Sequence, residues 1–311
     1  ADATYVYLTD IYALALLLNV SAAWLCLRGR KRLTTYVCAA VLLMASAGLY
    51  QAYLQVFTAL VMVWAAIRLL EGDSLRDTLM RLYPRCGGSI AALGMGMGLF
   101  FAVYHIVLAA TGIAPEAGQN GMANLGDFEG VFVPKLLLNT WLYPIEHLFS
   151  MQGANPFWAR AALIFALLYG VGATAYVMCR NGLDRGSRMA ATLILLLLPA
   201  GMNWIYLFSK EFIHDLMMYA YVAAPIYAVV VSEIAWDLPL ADVQFVSTRK
   251  RALAYALTLA VCLLLLDRTI YANRLYLKKD LEYDATQSVM TRVLDRVEQL
   301  DGYEPGETPV C

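Results

Sequence analysis

Gly48-Leu49-Tyr50-Gln51-Ala52-Tyr53-Leu54-Gln55 lies midway along an apolar run from Thr34 to Leu70. That run is 37 residues long, too long for one membrane helix of about 20 residues and right for two. The Tyr50-Gln51 pair falls where the chain has to turn. This predicts a helix hairpin tipped by Tyr50 and Gln51, with both at one membrane face. The rest of the chain reads as further hairpins whose polar ends collect on that same face.

Composition agrees. The chain is 61% hydrophobic and 15% charged, where a soluble globular chain carries about 25% charged residues. Its mean hydropathy is +0.60. These values exclude a soluble enzyme and describe a polytopic membrane protein. The formal net charge of -1 is uninformative about partners, because in a membrane protein the distribution of charge decides orientation. Cys26, Cys38, Cys86, Cys179, Cys262 and Cys311 are scattered without C-x-x-C spacing. They read as small buried hydrophobes and not as a zinc site or a disulfide framework. The chain starts without Met or a signal-peptide pattern and stops on Thr308-Pro309-Val310-Cys311, which reads as a fragment of a longer protein cut at both ends.

Eight spans emerge, near Tyr12–Leu27, Thr34–Leu49, Leu54–Leu70, Ser89–Thr111, Pro156–Cys179, Met189–Phe208, Leu216–Trp236 and Ala252–Ile270. Cations gather in alternate connections: Arg28 to Arg32, then Arg68, Arg76, Arg81 and Arg85, then Arg180, Arg185 and Arg188, then Arg249, Lys250 and Arg251. The positive-inside bias puts those connections in the cytoplasm. The first residues, Tyr50-Gln51, the long stretch from Gly112 to Asn155, the turn Ser209 to Asp215 and the tail from Tyr271 then lie outside. Leu75, Leu79 and Leu82 recur at helical spacing between arginines, as in an interfacial amphipathic helix. Gly94, Gly96 and Gly98 read as packing glycines in the fourth span. Val131 to Phe149, broken by Pro134 and Pro144, reads as a membrane-hugging or re-entrant helix. Pro199-Ala200-Gly201 interrupts the sixth span.

The expected architecture is therefore all-α: a polytopic membrane helix bundle of about eight transmembrane helices over residues 1–270, and an extracytoplasmic helical tail over 271–311 that enters a truncated C-terminal region. In that tail Leu281, Thr286, Val289, Val293, Leu294 and Val297 form a one-sided apolar stripe that Gly302 stops.

None of the soluble-enzyme signatures G-x-S-x-G, H-E-x-x-H, G-x-G-x-x-G or the Walker loop occurs. What remains is a polar outer face. It offers the acids Asp10, Asp127, Glu129, Glu146, Glu211, Asp215 and Asp267, the bases Lys135, Arg160, Lys210 and Arg268, the imidazoles His147 and His214, and Tyr50 with Gln51. Such a face suits a reaction between a lipid-borne donor and a polymer arriving from outside. A carboxylate deprotonates an acceptor hydroxyl, and a Lys or Arg holds the leaving phosphate. Each group also has a plainer reading. Lys210, Glu211 and Asp215 suit a solvated turn with a surface ion pair, and Glu146-His147 suits a polar helix face at the interface. Asp267-Arg268 suits a helix-end pair, and Tyr50-Gln51 a hairpin cap. Glu233, an acid within the seventh span, is costly unless paired or snorkelling to the inner end.

Three stretches together resemble a known family. Gly48-Leu49-Tyr50-Gln51-Ala52-Tyr53 before an apolar span is similar to the hairpin of bacterial O-antigen glucosyltransferases of the Gtr type II kind. Pro199-Ala200-Gly201-Met202-Asn203-Trp204, followed by Met217-Met218-Tyr219-Ala220, is similar to that family's late span pair. Tyr271-Ala272-Asn273-Arg274-Leu275-Tyr276, leading to Tyr283 and then Arg292 to Tyr303, is similar to its post-membrane helix.

The resemblance implies a GT-C-like multispan glycosyltransferase of the bacterial inner membrane. It implies transfer of a sugar, glucose above all, from a polyprenyl-phosphate donor to a hydroxyl of a cell-surface polysaccharide such as O-antigen. Transfer occurs on the periplasmic face with inversion at the anomeric carbon. Partners are the lipid-linked donor, the polysaccharide and the bilayer, with no nucleic acid; no cofactor is fixed, and a divalent cation is compatible. In GT-C enzymes the catalytic acid sits in the first outer loop, which is expected upstream of Ala1, with Asp10 its last remnant. The roles expected in this chain are Asp10, Glu211 or Asp215 near the acceptor. Tyr50, Gln51, His214 and Asn273 bind substrate, and Lys210 or Arg160 stands near the lipid phosphate. The rival readings are a transporter or flippase for a lipid-linked saccharide, which calls for broken helices in inverted repeats, and a sensor whose output is the tail helix. One broken span near Pro199 and no convincing repeat favour the enzyme.

Overall fold

A computed structural model describes residues 9–28, 32–72, 74–113, 132–150, 157–208, 215–237 and 244–299. The chain folds into α1 (Thr9–Arg28), α2 (Leu33–Tyr50), α3 (Leu54–Glu71), α4 (Leu75–Thr111), α5 (Val133–Ser150), α6 (Phe157–Arg180), α7 (Arg185–Met202), α8 (Ala223–Asp237) and α9 (Gln244–Glu298), with 3₁₀ turns at Gln51–Tyr53, Trp204–Leu207 and Asp215–Val222. No strand occurs among the described residues. The protein is an all-α polytopic membrane bundle, because only internally hydrogen-bonded helices satisfy the backbone across a bilayer.

Among the described residues six runs are long and apolar enough to cross a membrane: Asp10–Arg28, Leu33–Glu71, Leu75–Thr111, Phe157–Arg180, Met217–Trp236 and Arg251–Glu298. The second of them is two helices, α2 and α3, separated by Tyr50 in extended backbone (φ -161, ψ 104) and the turn after it. The sixth expected span corresponds to α7, which is not in this set. Arg185 and Arg188 occupy its first turn and it stops at Met202, so its apolar part is short.

The structure corrects three boundaries. The amphipathic segment at Leu75 and the span after it form one helix, α4, with Pro84 inside. Pro144 and Pro199 also sit inside helices, α5 and α7; the break in the sixth expected span comes at Asn203 (φ -136, ψ 18). Residues 244–298 contain neither Gly nor Pro, and α9 runs through them without interruption.

The chain divides into two compact units, Ala1–Val261 and Cys262–Cys311. In the first, α3 is the central helix and packs against α7, α1, α4 and α8. Its Leu54 and Phe57 enter a core with Ala22, Ala39, Leu43 and Ala92. Its Val63, Ala66, Leu69 and Leu70 enter a second core with Val177, Leu198, Met202 and Val231. In the second unit, Leu281, Val289, Val293 and Leu294 are exposed, and Glu282 pairs with Lys279 at 2.9 Å on the helix surface.

Small residues set the tight contacts. A Cβ on Gly96 would stand 2.9 Å from the Ala40 carbonyl oxygen and 2.9 Å from Leu43 Cβ, so α4 lies directly on α2. A Cβ on Gly94 or Gly98 would meet nothing within 4 Å. The reason is helical geometry: residues four apart share a face, and the residue midway between them points away. Of the three glycines expected to pack, Gly96 alone does so among the described residues. Gly170 makes the equivalent contact between α6 and α8, where an added Cβ would stand 2.7 Å from Ala228 Cβ. Beside it Thr174 Oγ1 and Tyr227 Oη are 2.7 Å apart. Between α1 and α2, the buried amide of Asn19 donates to the Ala15 carbonyl at 3.0 Å and to Ser46. Polar pairs of this kind hold membrane helices together where apolar burial gives no preference for helix over lipid.

Candidate functional site

The hairpin tip is built as the sequence suggests, and more is gathered there. Tyr50 ends α2, Gln51 and Tyr53 form the 3₁₀ turn, and Gln55 opens α3. Tyr53 is 1% exposed and stands at the centre of an edge-to-face aromatic cluster. Its ring centroid is 4.9 Å from Tyr50, 5.3 Å from Tyr219 and 6.4 Å from Tyr12, and Tyr12 is 5.0 Å from Tyr50. Edge-to-face packing matches the positive ring edge to the negative face of its neighbour. The cluster joins the start of α1, the α2–α3 hairpin and the 3₁₀ turn Asp215–Val222.

One turn below, the fully buried Gln55 donates its side-chain amide to the Met217 carbonyl. That bond ties the head of α3 to the 3₁₀ turn Asp215–Val222. A second polar layer continues from the same turn. Tyr221 Oη donates to Asn203 Oδ1 at 2.9 Å, and Asn203 Nδ2 donates to the Thr140 carbonyl at 3.2 Å. The break at Asn203 thus frees its buried side chain to tie α5 to the turn that carries Tyr221. The rings of Tyr221 and His147 lie 5.5 Å apart. Trp204 Nε1 donates to Thr58 Oγ1 at 3.1 Å, fixing the Trp204–Leu207 turn to α3.

Of the expected site residues, Tyr50 and Gln51 are half-buried at this tyrosine-rich end. Asp10 is exposed in the first turn of α1, two residues before Tyr12, and is part of that helix, not of a loop. A carboxylate there is favoured by the helix dipole. Asp215 heads the turn that carries Met217, Tyr219 and Tyr221; its side chain is outside the described residues. Lys210, Glu211 and His214 lie outside them as well, as do Asp127 and Glu129. Arg160 is exposed in the first turn of α6, which packs mainly on α8. Glu146 and Lys135 are exposed on α5. Asn273 is exposed in the second unit. Asp267 does not end a helix with Arg268: it sits within α9, 4% exposed, while Arg268 is exposed. Glu233 is exposed on α8.

Sequence reasoning gave no role to Tyr53, Gln55, Asn203, Tyr219 or Tyr221. A signal existed for Gln55, a long amide one turn after Gln51 in an otherwise apolar span. Chemically the site offers phenol rings and amides at one mouth of the bundle, with a carboxylate-bearing helix start and a carboxylate-bearing turn joined through Tyr12, Tyr53 and Tyr219. Rings and amides recognise sugars, and carboxylates take protons from hydroxyls.

A family model described as "Glucosyl transferase GtrII" matches residues 2–232. The chain belongs to the GtrII glucosyltransferase family. The match includes the tyrosine cluster, Gln55, the Asn203 network and the turn from Asp215 to Val222, and it ends within α8. Comparisons with curated proteins and with solved structures found no match. GtrII membership implies glycosyltransferase activity, and with it a sugar donor and an acceptor.

Proposed function

We propose that this protein transfers glucose from a polyprenyl-phosphate donor to a hydroxyl of a cell-surface polysaccharide such as O-antigen, on the periplasmic face of the bacterial inner membrane. The observation that carries the reading is the family match over residues 2–232, taken with the polar and aromatic groups gathered at one end of a membrane bundle. A polyprenyl donor lies in the bilayer and its sugar at the surface, so a site at the mouth of the bundle suits it. The cation-rich connections at the other end support a periplasmic tyrosine end by the positive-inside bias.

In this reading Tyr50 and Gln51 line the sugar site, and Tyr53, locked by its neighbours, sets their position. Asp10, Glu211 or Asp215 accepts the proton of the acceptor hydroxyl. The freed oxygen attacks the anomeric carbon, its new bond forms as the bond to the phosphate oxygen breaks, and the polyprenyl phosphate leaves. A single displacement of this kind inverts the anomeric centre. Arg160 or Lys210 balances the charge on the leaving phosphate, and His214 contacts substrate.

The test supplies radiolabelled polyprenyl-phosphate glucose and O-antigen acceptor to membrane vesicles containing the protein. Label in the polysaccharide, as the anomer opposite to the donor, is expected. Retention of configuration would refute single displacement, and absence of transfer with intact protein and several sugars tried would refute the donor–acceptor pair.

A further inference from the structure

The opposite end of the bundle carries a feature that sugar transfer does not use. Trp24, Leu27 and Arg28 of α1, Trp64 and Arg68 of α3 and Arg85 of α4 line an open cavity of about 550 Å³. Two guanidinium groups lie over one indole: Arg68 Cζ is 5.8 Å and Arg85 Cζ 5.6 Å from the Trp64 ring centroid. Each cation is attracted to the ring, but cations converging on one ring repel each other, and Arg28 adds a third. Glu71 is the carboxylate at hand, and Arg68 Nη1 holds it at 2.6 Å. No ion pair reaches Arg28 or Arg85 among the described residues. Arg85 Nε is buried and has no hydrogen-bond partner among them. A buried charged donor without an acceptor is costly. An anion in the cavity would relieve the repulsion between the converging guanidinium groups. Guanidinium forks match phosphate oxygens in geometry and charge.

The walls indicate what carries the phosphate. Leu14, Leu17, Val20 and Trp24 are all exposed, and their spacing of three and four residues puts them along one face of α1 leading into the cavity. An apolar stripe ending at a Trp and arginines is the pattern of a chain lying in hydrocarbon with its headgroup at the interface. We propose that this cavity binds the phosphate headgroup of an anionic membrane lipid, held by Arg28, Arg68 and Arg85, with the acyl chain along the Leu17–Val20–Trp24 face of α1. The lipid would clamp the ends of α1, α3 and α4 together at the end remote from the tyrosine cluster. The proposal is independent of the sugar-transfer reading, because its test measures binding.

The full chain, purified in neutral detergent, is titrated with phosphatidylglycerol, with phosphatidylcholine and with inorganic phosphate while thermal unfolding is followed. Phosphatidylglycerol is expected to raise the unfolding temperature and phosphatidylcholine is not. Arg85→Gln is expected to weaken the apparent affinity for phosphatidylglycerol by about tenfold or more. Arg68→Gln, on a more exposed side chain, is expected to weaken it too and is read in its place if Arg85→Gln does not fold. The double variant Arg180→Gln/Arg185→Gln removes two exposed charges from the same end and is expected to keep the affinity. An equal rise with phosphatidylcholine, unchanged affinity in both single variants, or an equal loss in the double variant would overturn the site. A rise of the same size with inorganic phosphate alone would overturn the lipid as its source.

Discussion

The side-chain amide of Gln55 at the head of α3 donates to the backbone carbonyl of Met217, so the central helix of the bundle directly holds the turn that carries Tyr219, Tyr221 and Asp215. Hairpin tip and late turn are far apart in sequence and become one site through this bond and the Tyr53–Tyr219 ring contact. Replacing Gln55 by Ala removes this bond to the part-buried Met217 carbonyl, which costs about 1–3 kcal/mol. Gln55→Glu should cost more, since an ionised carboxylate has no proton to donate and is buried. Unfolding in detergent reads the stability, and the vesicle transfer assay should show lost activity in both variants. If both keep wild-type stability, the bond does not hold the turn.

Tyr53 separates ring packing from hydroxyl chemistry. Its ring touches three other tyrosine rings and is 1% exposed. Tyr53→Phe keeps those contacts and should unfold within a few degrees of wild type. Tyr53→Ala empties a buried ring site and should cost about 3–5 kcal/mol, as for other aromatic truncations. Equal effects of the two substitutions would assign the cluster's stability to the hydroxyl.

At the mouth, Tyr50→Ala and Gln51→Ala are expected to reduce sugar transfer far more than stability, because both side chains are only half-buried. Asp10→Asn, Glu211→Gln and Asp215→Asn, tested at equal protein level, separate the three candidate bases: the true one should lower transfer by about 10² or more. Full activity in all three would leave the base to another carboxylate of the protein.

The glycines give a contrast within one helix. Gly96→Val forces side-chain atoms into the Ala40 carbonyl and Leu43 and should destabilise by about 1–3 kcal/mol through overpacking. Gly94→Ala and Gly98→Ala face open space and should be neutral or slightly stabilising. The readout is the amount of folded protein recovered in detergent and its unfolding temperature.

Asp184 caps α7, accepting from the Ser187 N–H at 2.9 Å. Hydrogen bonding from Ser187 holds its carboxyl below the ordinary value, with the Leu75 N–H and the charge of Arg188 adding to the effect. A carboxyl with a lowered folded pKa stabilises the protein above the unfolded pKa, and that stabilisation is lost as pH falls through the folded one. Asp184→Ala should therefore unfold at lower temperature than wild type at neutral pH, and the difference should close as the solution is acidified below the usual Asp range. A gap that is constant with pH would mean that the carboxylate charge contributes nothing.

The class and the rhythm of the chain were legible from residue order alone. Composition and run length dictate a membrane bundle, because repeated apolar runs of about 20 residues match the hydrocarbon thickness of a bilayer. The Tyr50 break was legible for the same reason: a 37-residue apolar run has to turn within itself. Local signals misled where they compete with packing. Pro84, Pro144 and Pro199 look like breaks, yet the helices pass through them, because neighbouring helices and lipid leave the backbone no better partner than itself. The tertiary structure alone decided which polar residues meet. Nothing in the spacing of Gln55 and Met217, Tyr53 and Tyr219, or Asn203 and Tyr221 reveals a partner, since each pair forms only when separate helices pack and one buried donor finds one acceptor. It likewise chose Gly96 over Gly94 and Gly98, a choice made by which face of α4 lies on α2. Periodicity fixes which residues share a face; only packing fixes what that face touches.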